Sequence, residues 1–147
     1  MKSGFHENSA QRIDIYNHLS GSSQTLIKEI LSDITLENYT DKIYEKADTY
    51  EWWVDDCLVG LIAIYTNRGN LFPAYITLVS ILDSFNSKGI GTKLMDFLIN
   101  DLKNKCFLKI ELEVKKNNYI AINFYKKIGF TIIEEKLQYS CLMELTL

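Results

Sequence analysis

The chain has 147 residues, 47% of them hydrophobic and 24% charged, with a formal net charge of -3. Such a length and composition fit one globular domain with its own core and exclude a disordered, fibrous or nucleic-acid-coating polypeptide. Its three cysteines, Cys57, Cys106 and Cys141, lack CxxC spacing and histidine companions, which points away from both a disulfide framework and a metal site.

Residues 1–11 are polar, contain no apolar core of a signal peptide, and read as a flexible leader; no later stretch reaches the ~20 apolar residues of a membrane span. A cytoplasmic protein is expected. R-I-D-I-Y, from Arg12, alternates in the manner of a first strand. From Ser22 onward Leu26, Ile27, Ile30, Leu31 and Ile34 recur at helical spacing behind serine caps. A second helix follows from Thr35, with Tyr39, Ile43 and Ala47 on one face. Tyr50–Val54 and Leu58–Tyr65 are rich in aromatic and β-branched residues and flank an Asp-Asp turn, the pattern of a β-hairpin whose exposed edge would permit a homodimer. Gly60, inside the second strand of that hairpin, marks a bulge or a close backbone approach.

Ala74–Leu82 is a nearly unbroken apolar run, as expected of a central strand, and leads through Gly89-Ile90-Gly91 into a helix striped by Leu94, Met95, Leu98, Ile99 and Leu102. Lys109–Val114 alternates aliphatic residues with Glu111 and Glu113, a strand carrying both carboxylates on one face. A helix over Asn118–Ile128, capped by Gly129, and two closing strands, Phe130–Glu135 and Tyr139–Thr146, complete the chain.

The segment Asn86–Thr92, N-S-K-G-I-G-T, carries the most specific chemistry. Glycines let the chain turn sharply, and the unpaired N–H groups of a helix's first turn face outward at the positive end of its dipole, a seat for a pyrophosphate. Neither of two other phosphate motifs fits: no glycine stands at Walker A distance ahead of Gly91-Thr92-Lys93, and the third Rossmann glycine would fall at Leu94. What remains is Q/R-x-x-G-x-G/A with Asn86 at the first position, so the segment resembles the coenzyme A loop of the GNAT N-acetyltransferase superfamily. The resemblance strengthens over Ile110–Phe130, where Asn118, Ala121, Tyr125, Gly129 and Phe130 match the family's N-x-x-A-x-x-x-Y-x-x-x-G-F. It covers essentially Arg12–Leu147.

The resemblance implies a single α/β (α+β) domain over residues 1–147, a mixed, mostly antiparallel sheet flanked by helices, with a parallel strand pair splayed to admit the cofactor. It implies acetyl-CoA as acyl donor, no metal, and direct attack by a primary amine. Val79, Ser80 and Ile81 would lend main-chain groups to the pantetheine. Ser87, Lys88, Gly89, Ile90, Gly91 and Thr92 would hold the pyrophosphate, with charge from Lys88 or Lys93. Asn118 would either bond the pantetheine region or cap its helix. Tyr125 would protonate the departing thiolate, and Glu113, Glu111 or a water chain would take the amine's proton. The acceptor is expected to be a small molecule, an amino sugar or polyamine with Glu51, Asp55 or Asp56 as anionic attractants. A protein N-terminus or lysine is the alternative within the class, and a non-catalytic coenzyme A-binding module the alternative outside it.

Overall fold

The computed structural model describes residues 1–31, 33–136 and 139–147. In chain order the elements are β1 (Gly4–Glu7), α1 (Arg12–Ser20), α2 (Gln24–Ile30), α3 (Leu36–Lys46), β2 (Asp48–Val54), β3 (Cys57–Tyr65), β4 (Ala74–Ile81), a short 3-10 turn, α4 (Ile90–Asn104), β5 (Lys109–Lys115), α5 (Tyr119–Ile128), β6 (Thr131–Lys136) and β7 (Ser140–Thr146). The strands form one sheet in the order β1-β2-β3-β4-β5-β7-β6, antiparallel throughout except for the β4–β5 pair. This is the expected mixed α/β architecture.

Two expectations at the N-terminus are corrected. Residues 1–11 are not a loose leader, because Gly4–Glu7 pairs with Tyr50–Trp53 and covers the hairpin edge that was expected to lie open. Arg12–Tyr16 is helical. Its buried side chains are Ile15, His18 and Leu19, at three-and-four spacing, while Ile13 is 60% exposed, so the apparent alternation was accidental. Glu51 fixes this region from beneath. Its fully buried carboxylate accepts hydrogen bonds from the N–H groups of Ser9 and Ala10, the hydroxyls of Ser9 and Thr49, and Trp53 Nε1. It is therefore committed to the fold and is not the amine attractant expected from the sequence.

Asp55 and Asp56 close the β2–β3 hairpin with φ of 48° and 64°, the paired left-handed conformation of a two-residue turn that matches strand twist. Two bulges then shape the middle of the sheet. Trp52 faces Gly60 while Trp53 faces Leu58, which leaves Val59 as the extra residue. A Cβ on Gly60 would lie 2.9 Å from Ile90 Cγ2 and 3.1 Å from both Ile81 Cδ1 and Leu94 Cδ1, so the missing side chain lets the start of α4 settle on the sheet. Similarly, Ala63 faces Leu78 and Ile64 faces Ile76, which leaves Thr77 unopposed.

The bulge at Thr77 reverses the faces of β4. Ala74 and Ile76 join the larger core with Ile62, Ile64, Leu94 and Leu98, whereas Leu78 joins the opposite core with Ile15, Leu19, Ile43 and Leu61. The β4–β5 ladder also ends here. Its last pair is Ile76 with Leu112, and the strands separate beyond it.

Candidate active site

At the head of α4, Gly89 is the N-cap in the left-handed region, φ 74°, and a Cβ built on it meets no atom within 4 Å. Ser87 also has positive φ, 63°. The first helical hydrogen bond of α4 runs from Lys93 N to Gly89 O at 3.0 Å, so the N–H groups of Ile90, Gly91 and Thr92 have no intrahelical acceptor. A cleft of about 600 Å³ opens in front of them, bordered by Val79, Ile81, Ser87, Gly89, Thr92 and Phe124 among others. Lys88 is exposed and outside that lining, and Lys93 Nζ lies 5.2 Å from the Trp52 ring centroid on the outer side. The cradle is thus built of main chain.

A second cleft, of about 710 Å³, lies between the helices α2 and α3 and the separated strands; Leu26, Tyr39, Lys42, Tyr75, Thr77 and Glu113 are part of its wall. The two clefts share Val79, Asn118, Ala121 and Tyr125. They meet where β4 and β5 part.

Tyr125, from α5, is 9% exposed and held edge-on by Phe124 and Phe130, with ring centroids 5.4 and 5.6 Å away. Burial pushes its phenol up, so the hydroxyl keeps its proton at neutral pH. Glu113 projects from β5 opposite Leu142 and borders the second cleft alone. Glu111, opposite Tyr75 in the part of β5 still paired with β4, borders neither. Asn118 caps α5, its Oδ1 accepting from Ala121 N at 3.2 Å, while lining both clefts.

Val79 and Ile81 face the first cleft, but the Ser80 side chain points the other way. Its hydroxyl lies 2.9 Å from Nε2 of buried His18, whose Nδ1 donates to Leu58 O at 2.8 Å. Burial holds the imidazole below its ordinary pKa, so it is neutral. Asp55 and Asp56 sit in the far turn, with Lys2 bonded to Asp56, and line neither cleft. Sequence reasoning missed Tyr39, Lys42 and Thr77, because no local signal ties an α3 face to a bulge nearly forty residues later. The even alternation of Ala74, Ile76 and Leu78 even disguises that bulge.

Main-chain amides without intrahelical acceptors thus stand beside a parallel strand pair that parts after Ile76 and Leu112. The sequence model of the acetyltransferase (GNAT) family matches residues 14–130. The chain belongs to the GNAT family. Within that family, the chain is 32% identical over 122 residues to a probable N-acetyltransferase, san, of Drosophila melanogaster, covering 77% of this chain. It is 33% identical over 111 residues to N-alpha-acetyltransferase 50 of Danio rerio, covering 69% of this chain. The matched stretch spans 65% of the length of each of those relatives. Among solved structures, the PaiA N-acetyltransferase of Thermoplasma acidophilum, crystallised with coenzyme A, superposes with a TM-score of 0.76 over 98% of this chain and 99% of that one at 18% identity, which shows the shared GNAT fold. Among the described residues, no helix of this GNAT chain is long and apolar enough to cross a membrane.

Proposed function

We propose that this chain is an acetyl-CoA-dependent N-acetyltransferase whose acceptor is the α-amine of a polypeptide. The observation that carries the reading is the junction at Tyr125, where a main-chain anion cradle opens through a strand gap into a second, side-chain-lined cleft. Open space at Gly89 and the outward amides of Ile90, Gly91 and Thr92 fit a diphosphate, and the edge of β4 from Val79 to Ile81, released by β5, fits the amide-bearing pantetheine arm. When bound, acetyl-CoA supplies an activated acyl group and a thiolate leaving group.

The chain's own residues then position and move protons. The Tyr125 hydroxyl, kept protonated by burial, gives its proton to the departing sulfur. Glu113, on the acceptor side, receives the amine's proton directly or through water. An α-amine, with a pKa of about 7.7–8.0, is already partly neutral at pH 7 and needs less help than a lysine side chain at about 10.4.

The acceptor reading departs from the small amine expected from sequence. Asp33 and Glu113 on the second cleft are balanced by Lys42 and Lys115, a poor lining for a polycationic amino sugar or polyamine. The relatives named as N-alpha-acetyltransferases support a polypeptide terminus. Thiol release from acetyl-CoA is to be measured with free-N-terminal peptides, the same peptides blocked at the N-terminus but carrying lysine, and a set of polyamines and aminoglycosides. Turnover of the first set alone supports the proposal, and turnover of small amines alone overturns its acceptor. Cofactor binding without turnover on any amine would favour the non-catalytic module.

A further inference from the structure

The helix side of the second cleft ends in a corner built around the β4 bulge. Tyr39 and Lys42, three residues apart on one face of α3, both reach it. Tyr39 Oη donates to Thr77 O at 3.1 Å, so Thr77 Oγ1, 3.0 Å from the same oxygen, must be the donor in the second contact. Both hydroxyl protons are thereby engaged, and burial pushes the Tyr39 phenol up to about 12, which keeps the ring of bonds intact at neutral pH. Tyr65, directly across the ladder from Tyr75, lies beneath this corner and lines neither cleft. Its hydroxyl oxygen lies near the Thr77 side chain without the alignment of a hydrogen bond, and it is buried and unpartnered among the described residues. Over the Tyr65 ring, 5.5 Å from its centroid, stands Lys42 Nζ. No ion pair of Lys42 occurs among the described residues.

A cation with no ion pair among the described residues, seated over an aromatic face at the end of a substrate cleft, is a receptor for negative charge. We propose that Lys42 reads an anionic side chain of the acceptor, making it a specificity-determining residue. This rests on the peptide-acceptor reading above. The spacing can be taken from β4: Tyr125 borders the cleft at Val79, and Lys42 stands over the Tyr65–Tyr75 pair, four residues down the strand, or roughly 13 Å at the usual rise. An extended peptide covers that distance in about four residues, which places the recognised carboxylate at the third or fourth position of the acceptor.

The test uses the full chain and peptides identical except for Glu, Gln or Lys at position three or four. For the wild type we expect kcat/KM about tenfold higher for the Glu peptide than for the Gln peptide at one of those positions, carried by KM with kcat unchanged, and flattened by 0.5 M salt because the contact is partly exposed. Lys42→Met should abolish the ratio, Lys42→Arg should keep it, and Lys42→Glu should make the Lys peptide the best of the three. Cofactor affinity should be the same in all, because Lys42 borders only the acceptor cleft. An unchanged Glu-to-Gln ratio in Lys42→Met, or no preference in the wild type, overturns the role of Lys42 while leaving the peptide reading intact. No turnover of any peptide overturns both.

Discussion

The two clefts that meet at Tyr125 are made of different material. The side proposed for the cofactor is a main-chain construction, with outward amides at the head of α4, a left-handed glycine and a strand edge. The side proposed for the acceptor is a side-chain construction, gathered from α2 and α3 and from the strands β4 and β5, which lie far along the chain from them. A site of backbone groups depends on the path of the chain and tolerates a change of letter. Asn86, where the family pattern has arginine or glutamine, lies on that tolerant side. A site made of side chains changes its chemistry with each substitution, so neighbours with the same fold can be named for unlike acceptors, a ribosomal-protein-S18-alanine in one case and an aminoglycoside in another.

That contrast can be broken experimentally, beginning where the effect should be greatest. Gly89→Glu puts a carboxylate into the mouth of the anion cradle and should remove measurable cofactor binding in calorimetry, while Gly89→Asn, which tolerates a left-handed φ, should retain most of it. Equal loss in both variants would mean that strain, not charge, governs the corner. Tyr125→Phe deletes only a hydroxyl and should lower kcat by about 100-fold with cofactor affinity nearly unchanged. An unaffected kcat would remove the phenol from proton transfer. Gly60→Val acts on the support of the cradle and should destabilise the fold by ~2 kcal/mol in denaturant melts, since a branched side chain would press on Ile81, Ile90 and Leu94 together.

The smallest effect concerns pH. The folded state holds His18 below its ordinary pKa, so the unfolded chain takes up the proton first as pH falls. Stability contributed by His18 is therefore complete above about 6.5 and is lost as pH drops below that value toward the lowered folded pKa. Thermal melts of the wild type should decline over that range more steeply than those of His18→Gln; parallel curves would show that other groups set the acid limb.

Local signals made the turn at the head of α4 legible. A glycine turn between an apolar strand and an amphipathic helix declares itself within seven residues, and so do the hairpin and the Asn118–Phe130 pattern. The N-terminal third was read less well, because Ile13 and Ile15 imitate a strand until tertiary packing shows that Ile15, His18 and Leu19 are the buried set. The acceptor corner was not legible. Tyr39, Tyr65 and Thr77 come together only because a bulge and a helix crossing coincide, and neither leaves a mark in composition or period.

The unopposed residue in β4 has one more consequence. Downstream of Thr77, the groups offered to the thioester carrier belong to the backbone. The segment should therefore accept many substitutions and almost no change of length. Removing Thr77 would keep Ile76 and Leu78 on opposite faces and leave each partner of Leu78 through Ile81 in place, yet it would erase the irregularity at which β4 leaves β5 and let the two strands knit onward, sealing the opening proposed for the thioester carrier.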